Sequence, residues 1–312
     1  MKRLRPSLMA SLFLVAACAS SPAAAPEVTS ALAPAPCAPA ATLAAFGDER
    51  ARSEAILAMD PAVREDLARA LTACLGDPDP EIRDGVAYTA LSQMLRTQLV
   101  SIETVMDLEE DLRARLARPA DAGGFEAPFA ALVLAEVART DRVTPWMGPE
   151  ERDRLIAATH AYLETLSDYR GYSDADGWRH GVAHASDILM QLSLNPQLTR
   201  PQAEAILAAI ALKVGTPDHA YVFGESERLA APVTYLAFKE TFTAEEWSAW
   251  FAGLWPAGDP LRAEAYKSEA ALTKLHNLRA FAQSVYINAM ASNDERMKPV
   301  AVAAFEFLNQ LP

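Results

Sequence analysis

Two histidines and an aspartate lie close together in the segment GWRHGVAHASDILMQLS, residues 177–193. His180 and His184 are four residues apart, and Asp187 follows three residues later. Imidazoles one helical turn apart can bind a divalent metal ion such as zinc. The same groups can also transfer protons or hydrogen-bond to a ligand. This segment is therefore the first candidate for chemistry.

A metal ion held by His180 and His184 would need a further ligand from elsewhere in the chain. In a helix, Asp187 is about 10 Å along the axis from His180, so it is better placed to orient His184. The side chains that could complete the site are Asp84, Glu225 and His276. The zinc-protease helix carries a glutamate directly after its first histidine, but Gly181 stands there in this chain, so protease chemistry is not supported.

A helical wheel drawn from Trp178 predicts which side of this segment is buried. Its apolar side chains fall within about 40° of Trp178 at about 100° per residue. They are Val182, Ala185, Leu189 and Leu192. His180, His184 and Asp187 fall on the opposite side. The wheel thus predicts a polar face that meets a ligand outside the helix.

Three further segments combine aromatic and charged residues, namely 82–88, 169–178 and 221–232. Helix caps and ion pairs between helices are the ordinary explanation for such groups. The alternative is that they line one ligand site. The residues of that predicted site are Asp84, Tyr88, Arg170, Tyr172, Trp178, His180, His184, Asp187, Glu225 and Arg228. If the site is catalytic, the acid–base candidates are His180, His184, Asp187 and Glu225.

The chain that must position these residues is predicted to be all-α from residue 42 onward. Apolar residues recur at three- and four-residue spacing, and proline, glycine and aspartate mark the boundaries of about eleven helices. The segment GDPDPEIRDGVAYTALSQML, residues 76–95, is similar to the turn and second helix of a HEAT-type repeat. We therefore predict an irregular HEAT-like α-solenoid of paired antiparallel helices. A closed α/α toroid is the alternative, and chain length does not separate the two.

The N-terminus resembles the signal of a bacterial lipoprotein. A basic start is followed by a short apolar run that is too short to span a bilayer. It ends in Val-Ala-Ala-Cys, and Cys18 would carry the lipid. Residues 1–17 are thus the predicted signal peptide, with an ordinary cleaved signal as the alternative. Ala19 follows the cysteine, which by this resemblance favours the periplasmic face of the outer membrane.

The predicted mature chain has two parts. Residues 18–41 form an Ala/Pro-rich tether that carries the lipidated cysteine. Residues 42–312 form a single helical-repeat domain. In an oxidising periplasm Cys37 and Cys74 can pair, although Cys74 can equally be a small buried thiol. The formal charge of −13 argues against nucleic acid as a partner.

Four motifs together resemble a bacterial family known as domain of unknown function 2785. They are R-D-x-x-A-Y at 83–88, R-G-Y at 170–172, G-W-x-H-x-x-A-H-x-x-D at 177–187 and E-x-E-R-L at 225–229. Asn277, Leu278, Ser284 and Tyr286 also fit, so the resemblance spans roughly residues 77–290. Ala185-Ser186 stands where Gly-Ala is expected. The resemblance implies a helical domain and a shared set of polar residues, but no activity.

Three functions fit these observations. The first is a lipid-anchored envelope protein whose helical domain binds a small molecule or peptide in a polar pocket. The second is a hydrolase, metal-assisted or not, that uses His180 and His184. The third is a passive scaffold for an envelope protein complex. No G-x-S-x-G or C-x-x-C motif occurs in the chain, which gives nucleophilic catalysis little support.

Overall fold

The structure, a computed structural model, describes residues 37–312. These residues form fourteen α-helices and one short hairpin, β1 (Tyr172–Ser173) and β2 (Gly177–Trp178). The predicted all-α fold class is confirmed. The helices are α1 (Ala38–Ala44), α2 (Glu49–Ala58), α3 (Pro61–Leu71), α4 (Thr89–Arg96), α5 (Ile102–Leu116), α6 (Glu126–Val143), α7 (Pro149–Thr165), α8 (Gly181–Leu194), α9 (Arg200–Ala211), α10 (Glu225–Ala237), α11 (Ala244–Leu254), α12 (Pro260–Ala263), α13 (Glu269–Ala291) and α14 (Lys298–Gln310).

The predicted signal peptide, the lipidation site Cys18 and most of the predicted tether lie outside the described residues. Helix α1 begins at Ala38, inside the segment 18–41 that was predicted to be tether. The folded domain thus begins before residue 42, because a disulfide joins Cys37, at the start of α1, to the buried Cys74. Among the described helices, none is long and apolar enough to cross a membrane.

Local sequence explains where the helices begin. The side chain of Asp60 caps α3, and Thr199 and Gln202 form a reciprocal capping box at the start of α9. Asp79 likewise accepts a hydrogen bond from the Glu81 amide at 2.9 Å. That amide opens the helix predicted from the repeat-like segment.

The repeat-like helix is wound more loosely than an ordinary α-helix over its first two turns. Residues Glu81–Tyr88 are π-helical and run directly into α4. Two side chains donate hydrogen bonds to backbone carbonyls of this segment. Arg52 donates to the Gly85 carbonyl at 3.0 Å, and the Thr89 hydroxyl donates to the Asp84 carbonyl at 2.9 Å. Such insertions favour wider helical turns.

Alternate helices pack against each other in two layers. In one layer α6 contacts α4 and α8, α8 contacts α10, and α10 contacts α13. In the other, α5 lies between α3 and α7, and α7 contacts α9. This order is typical of stacked helix pairs. Helix α8 lies between α6 and α10 at the centre of its layer.

Candidate functional site

The helix that carries the histidines begins later than the helical wheel assumed. Helix α8 starts at Gly181, and Trp178 belongs to strand β2, where it is 38% exposed. Its predicted place on a core stripe is therefore wrong. His184 and Asp187 are buried, because α8 is covered on both sides by α6 and α10. The apolar stripe predicted from the wheel is buried at Val182, Ala185, Leu189 and Leu192, and the polar side opposite it is enclosed by neighbouring helices.

His180 caps the start of α8 in a left-handed backbone conformation, with φ 57° and ψ 38°. Only a few per cent of non-glycine residues adopt this conformation, although asparagine, aspartate and histidine do so more often than the rest. The hairpin holds it in place, because the His180 amide donates to the Arg170 carbonyl at 3.0 Å and the Arg179 amide to the Gly171 carbonyl at 2.9 Å. Strain of this kind is often found at functional sites.

His184 is a neutral, buried imidazole with a defined tautomer. Its Nδ1 lies 3.0 Å from the Pro128 carbonyl oxygen. A carbonyl can only accept, so we assign the proton to Nδ1, which leaves Nε2 as an acceptor. Burial lowers the pKa of His184 to about 3, and the neighbouring His180 acts in the same direction. The ring packs edge-on against Phe129, with 5.5 Å between ring centroids.

His180 has an unsatisfied nitrogen at the centre of the site. Its Nε2 is buried and, within residues 37–312, has no hydrogen-bond partner. The nearest carboxylate oxygen, Glu225 Oε1, is 3.6 Å away, which is too long for a hydrogen bond. Burial lowers the pKa of His180 to about 4, and the positive charge of Arg228 contributes to this shift. The ring is therefore neutral at physiological pH.

Asp187 forms a forked ion pair with Arg228. Arg228 Nε donates to Asp187 Oδ1 at 2.8 Å, and Arg228 Nη2 contacts the other carboxylate oxygen. Burial raises the pKa of Asp187, although Arg228 opposes that shift. The pair links α8 to α10. We call His180, His184, Asp187, Glu225 and Arg228 the histidine cluster.

Three half-exposed aromatic side chains border the cluster, and we call Tyr172, Trp178 and Phe223 the aromatic wall. Trp178 stacks on His180 with ring centroids 4.7 Å apart. Its ring also lies 5.1 Å from Tyr172 and 6.1 Å from Phe223. Phe223 is 38% exposed and Tyr172 46%. The wall thus presents aromatic surface to solvent directly beside buried polar groups.

Asp84 and Tyr88 lie at the edge of the cluster. A Cβ added at Gly177 would be 3.5 Å from Asp84 Oδ2, so this carboxylate borders the residue before Trp178. Burial raises the pKa of Asp84. Burial also raises the pKa of Tyr88, and the carboxylate of Glu136 raises it further. Both residues were predicted to line the site, and the structure places them near it.

Arg170 is not brought to the cluster. Its side chain forms an ion pair with Asp168 and donates to the Gly123 carbonyl at 3.2 Å. It contributes through its backbone, because its carbonyl accepts from the His180 amide. The side chain of Arg170, one of the ten predicted ligand-site residues, therefore points away from the cluster.

Two residues of the site were not predicted from sequence. Glu136 is buried within the apolar α6 and bonds Arg96, with Nε–Oε2 at 2.9 Å. A lone acid in an apolar helix is a recognisable pattern that could have singled it out. No sequence pattern singles out Phe223, because an aromatic residue in a loop does not by itself indicate a site. The position of Phe223 in the aromatic wall depends on Gly171, because the backbone of this glycine lies against the Phe223 ring.

The metal hypothesis lacks a ligand set. In residues 37–312, no group of three His, Cys, Asp or Glu side chains is close enough to hold a metal ion. Of the predicted further ligands, Glu225 approaches His180, whereas His276 Nε2 lies 3.3 Å from the Tyr221 carbonyl. The cluster offers hydrogen-bond acceptors and a buried carboxylate rather than a coordination shell.

Two sizeable cavities lie away from the cluster. One of about 470 Å³ lies between α9 and α11 and is lined by Trp247 and Trp250. Another of about 250 Å³ is lined by Asp121, Tyr162 and Arg179. The second cavity shares Pro128 with the site but none of the cluster residues. Trp247, on α11, is buried.

Replacing Gly171 with alanine should destabilise the aromatic wall. The added Cβ would lie 2.1 Å from Phe223 Cδ2, so the ring must move. We expect a loss of about 1–3 kcal/mol in the free energy of unfolding, measured by urea denaturation. Gly253→Ala is the matched control, because nothing lies within 4 Å of its added Cβ. If both variants are equally stable, the close packing of Phe223 on Gly171 is wrong.

The fold and the cluster define an all-α protein that encloses two neutral imidazoles and two acids beside an exposed aromatic surface. The family model described as Protein of unknown function (DUF2785) matches residues 112–287. That is more than half of the chain, which therefore belongs to this family. The match includes the histidine motif but not the R-D-x-x-A-Y helix at 83–88. Searches of curated proteins and of solved structures returned no match.

Proposed function

We propose that this protein binds a small molecule or peptide at the histidine cluster, with the aromatic wall covering one side of the ligand. The supporting observation is the buried, unpaired Nε2 of His180 beneath Trp178. A buried polar atom without a partner costs free energy, which a ligand group that bonds to it would recover. The left-handed conformation of His180 adds a second cost that binding can offset.

Binding fits the cluster better than hydrolysis does. A general base works best when its pKa is near the working pH. Burial lowers the pKa of His180 to about 4 and that of His184 to about 3, so both are weak bases. As neutral rings they remain good hydrogen-bond partners. The same geometry therefore favours recognition over proton transfer.

A fragment screen tests the proposal. Small neutral heteroaromatic, sugar-like and amine fragments would be screened against the full chain by saturation-transfer NMR. We expect binding fragments to be lost in His180→Asn and in Trp178→Leu. Asparagine tolerates the left-handed conformation, so the first variant should keep the backbone intact. His160→Asn is the matched control, because His160 lies on α7, outside the cluster. If no fragment binds, or if binding survives both variants, the proposal is wrong.

We also propose that the protein is anchored in the bacterial envelope through a lipid on Cys18. The Cys37–Cys74 disulfide supports export, since disulfides persist in oxidising compartments. In a bacterial host fed an alkyne fatty acid, we expect the wild-type chain to be labelled and Cys18→Ser to lose the label. Cys37→Ser with Cys74→Ser should keep it. Equal labelling of Cys18→Ser and the wild type would contradict the anchor.

A further inference from the structure

We propose that the ligand is a cation, an alkylammonium group held between the Trp178 ring and the Glu225 carboxylate. This inference rests on the proposed function and names the ligand's chemistry. It is carried by a buried carboxylate that lacks a counter-ion, an unpaired imidazole nitrogen beside it and an exposed aromatic face above both.

Glu225 is a buried carboxylate without a cationic partner. It is 2% exposed, and Oε2 accepts one hydrogen bond, from the Phe223 amide at 2.9 Å. Within the described residues no lysine or arginine nitrogen lies within 4.0 Å of it, and its one ion-pair contact is His180 at 3.6 Å. The closest candidate, Arg228, is bonded to Asp187 instead. Buried carboxylates are normally paired, so this one is an exception that a bound cation would explain.

His180 does not supply the missing charge. Its low pKa keeps the ring neutral, so it cannot act as a counter-ion at neutral pH. Its Nε2 and Glu225 Oε1 are 3.6 Å apart, with no hydrogen bond between them. A ligand N–H that carries positive charge can donate to the Glu225 carboxylate and, in the tautomer with the proton on Nδ1, to His180 Nε2. An alkylammonium N–H, or the hydroxyl group of a quaternary amine such as choline, satisfies one of these groups while the positive charge compensates the carboxylate.

The aromatic wall provides the second half of a cation site. Cations bind over the faces of tryptophan, tyrosine and phenylalanine, with tryptophan the best of the three. Trp178 and Phe223 are each 38% exposed, so their surfaces are accessible. The whole chain is acidic as well, with a formal charge of −13. An acidic protein concentrates cations near its surface.

An alkylammonium group can come from a small molecule or from a lysine side chain of a peptide. Choline represents the first source and n-butylammonium the second. The neutral carbon analogue of choline, 3,3-dimethyl-1-butanol, has the same shape without the charge. The three probes therefore separate charge from shape and one source from the other.

Isothermal titration calorimetry of the full chain at neutral pH and constant ionic strength tests the inference. We expect at least one cation to bind about tenfold more tightly than 3,3-dimethyl-1-butanol. Glu225→Gln should weaken that cation about tenfold, because the amide keeps the bond to the Phe223 amide but loses the charge. Glu227→Gln is the matched control, since Glu227 is exposed and lies two residues further on, and it should bind as the wild type does.

Tighter binding of choline would support a small quaternary ligand, and tighter binding of n-butylammonium a lysine-bearing peptide. The inference is overturned if neither cation binds, if the neutral analogue binds equally well, or if Glu225→Gln binds the cation as tightly as the wild type. Trp178→Leu is the second variant, and it should also weaken the cation if Glu225→Gln fails to fold. If neutral fragments bind at Trp178 while both cations fail, the proposed function stands and the cation assignment is wrong.

Discussion

Acidification below pH 6.5 should destabilise the protein steeply, and His184 should be a main cause. Burial lowers its pKa from an ordinary value of 6.5 to about 3. As the pH falls below 6.5, the His184 imidazole takes up a proton in the unfolded chain but stays neutral in the folded chain. Stability is therefore complete above pH 6.5 and is lost toward pH 3, at about 1.4 kcal/mol per pH unit. The total from His184 is on the order of 5 kcal/mol.

Neighbouring groups modify this slope. His180 acts in the same direction, because burial lowers its pKa to about 4. Asp187 and Asp84 act in the opposite direction at the acidic end, since burial raises the pKa of both carboxyls and the folded state takes up their protons first. We expect a net loss of stability between pH 6.5 and pH 4.

Urea denaturation at a series of pH values measures the effect. His184→Asn removes the titrating ring but keeps a side-chain donor that can reach the Pro128 carbonyl. It should be less stable than the wild type above pH 6.5 and show a flatter dependence on pH below it. Parallel curves for the two proteins would show that His184 does not control the acid sensitivity. NMR titration of the ring protons gives the midpoint directly.

The fold class follows from local patterns that tertiary packing leaves unchanged. Helix starts such as Asp60 before Pro61 and Thr199 before Arg200-Pro201 depend on groups within one turn, so sequence predicts them well. The π-helical turns of Glu81–Tyr88 are different. They depend in part on Arg52, a side chain from α2 that takes the Gly85 carbonyl. No pattern within the helix itself predicts that contact.

The site is predictable in its members but not in its geometry. The four-residue spacing of the histidines and the nearby Glu225–Arg228 turn identify the groups that meet. The wheel misplaced Trp178 because α8 begins at Gly181, after a hairpin that fixes His180 in a left-handed conformation. Moving the start of a helix by three residues takes Trp178 out of the core and makes it part of the aromatic wall. The Pro128 carbonyl, which sets the tautomer of His184, is a backbone group that no side-chain motif reveals.

Replacing Arg83 should cost more stability than any other single change near the site. Its side chain is 0% exposed, yet it carries a charge. Its guanidinium donates to the Asp77 carbonyl at 2.9 Å and to the Asp176 carbonyl at 2.7 Å. It also lies over the Phe125 ring, 3.9 Å from the centroid. We expect Arg83→Ala to lower the free energy of unfolding by about 3–5 kcal/mol, because it leaves buried carbonyls unpaired and opens a cavity.

Arg83→Lys separates charge from geometry. A lysine keeps the positive charge, but one ammonium cannot reach two carbonyls on opposite sides and stack on Phe125 as a planar guanidinium does. It should therefore lose about 2 kcal/mol or more in urea denaturation. Arg50→Ala is the control, because its ion pair with Glu54 is exposed and such pairs contribute less than about 1 kcal/mol. If Arg83→Ala is as stable as Arg50→Ala, Arg83 does not hold the repeat-like helix against the hairpin.

The same substitution should also disturb the site, because Arg83 is the direct link between the repeat-like helix and the turn of the hairpin. Asp176 lies in that turn, two residues before Trp178. Releasing its carbonyl frees the strand that fixes both Trp178 and the left-handed His180. We therefore expect Arg83→Lys to weaken ligand binding at the aromatic wall under conditions where the protein is still folded. Full binding by a folded Arg83→Lys would show that the hairpin holds the site without the arginine.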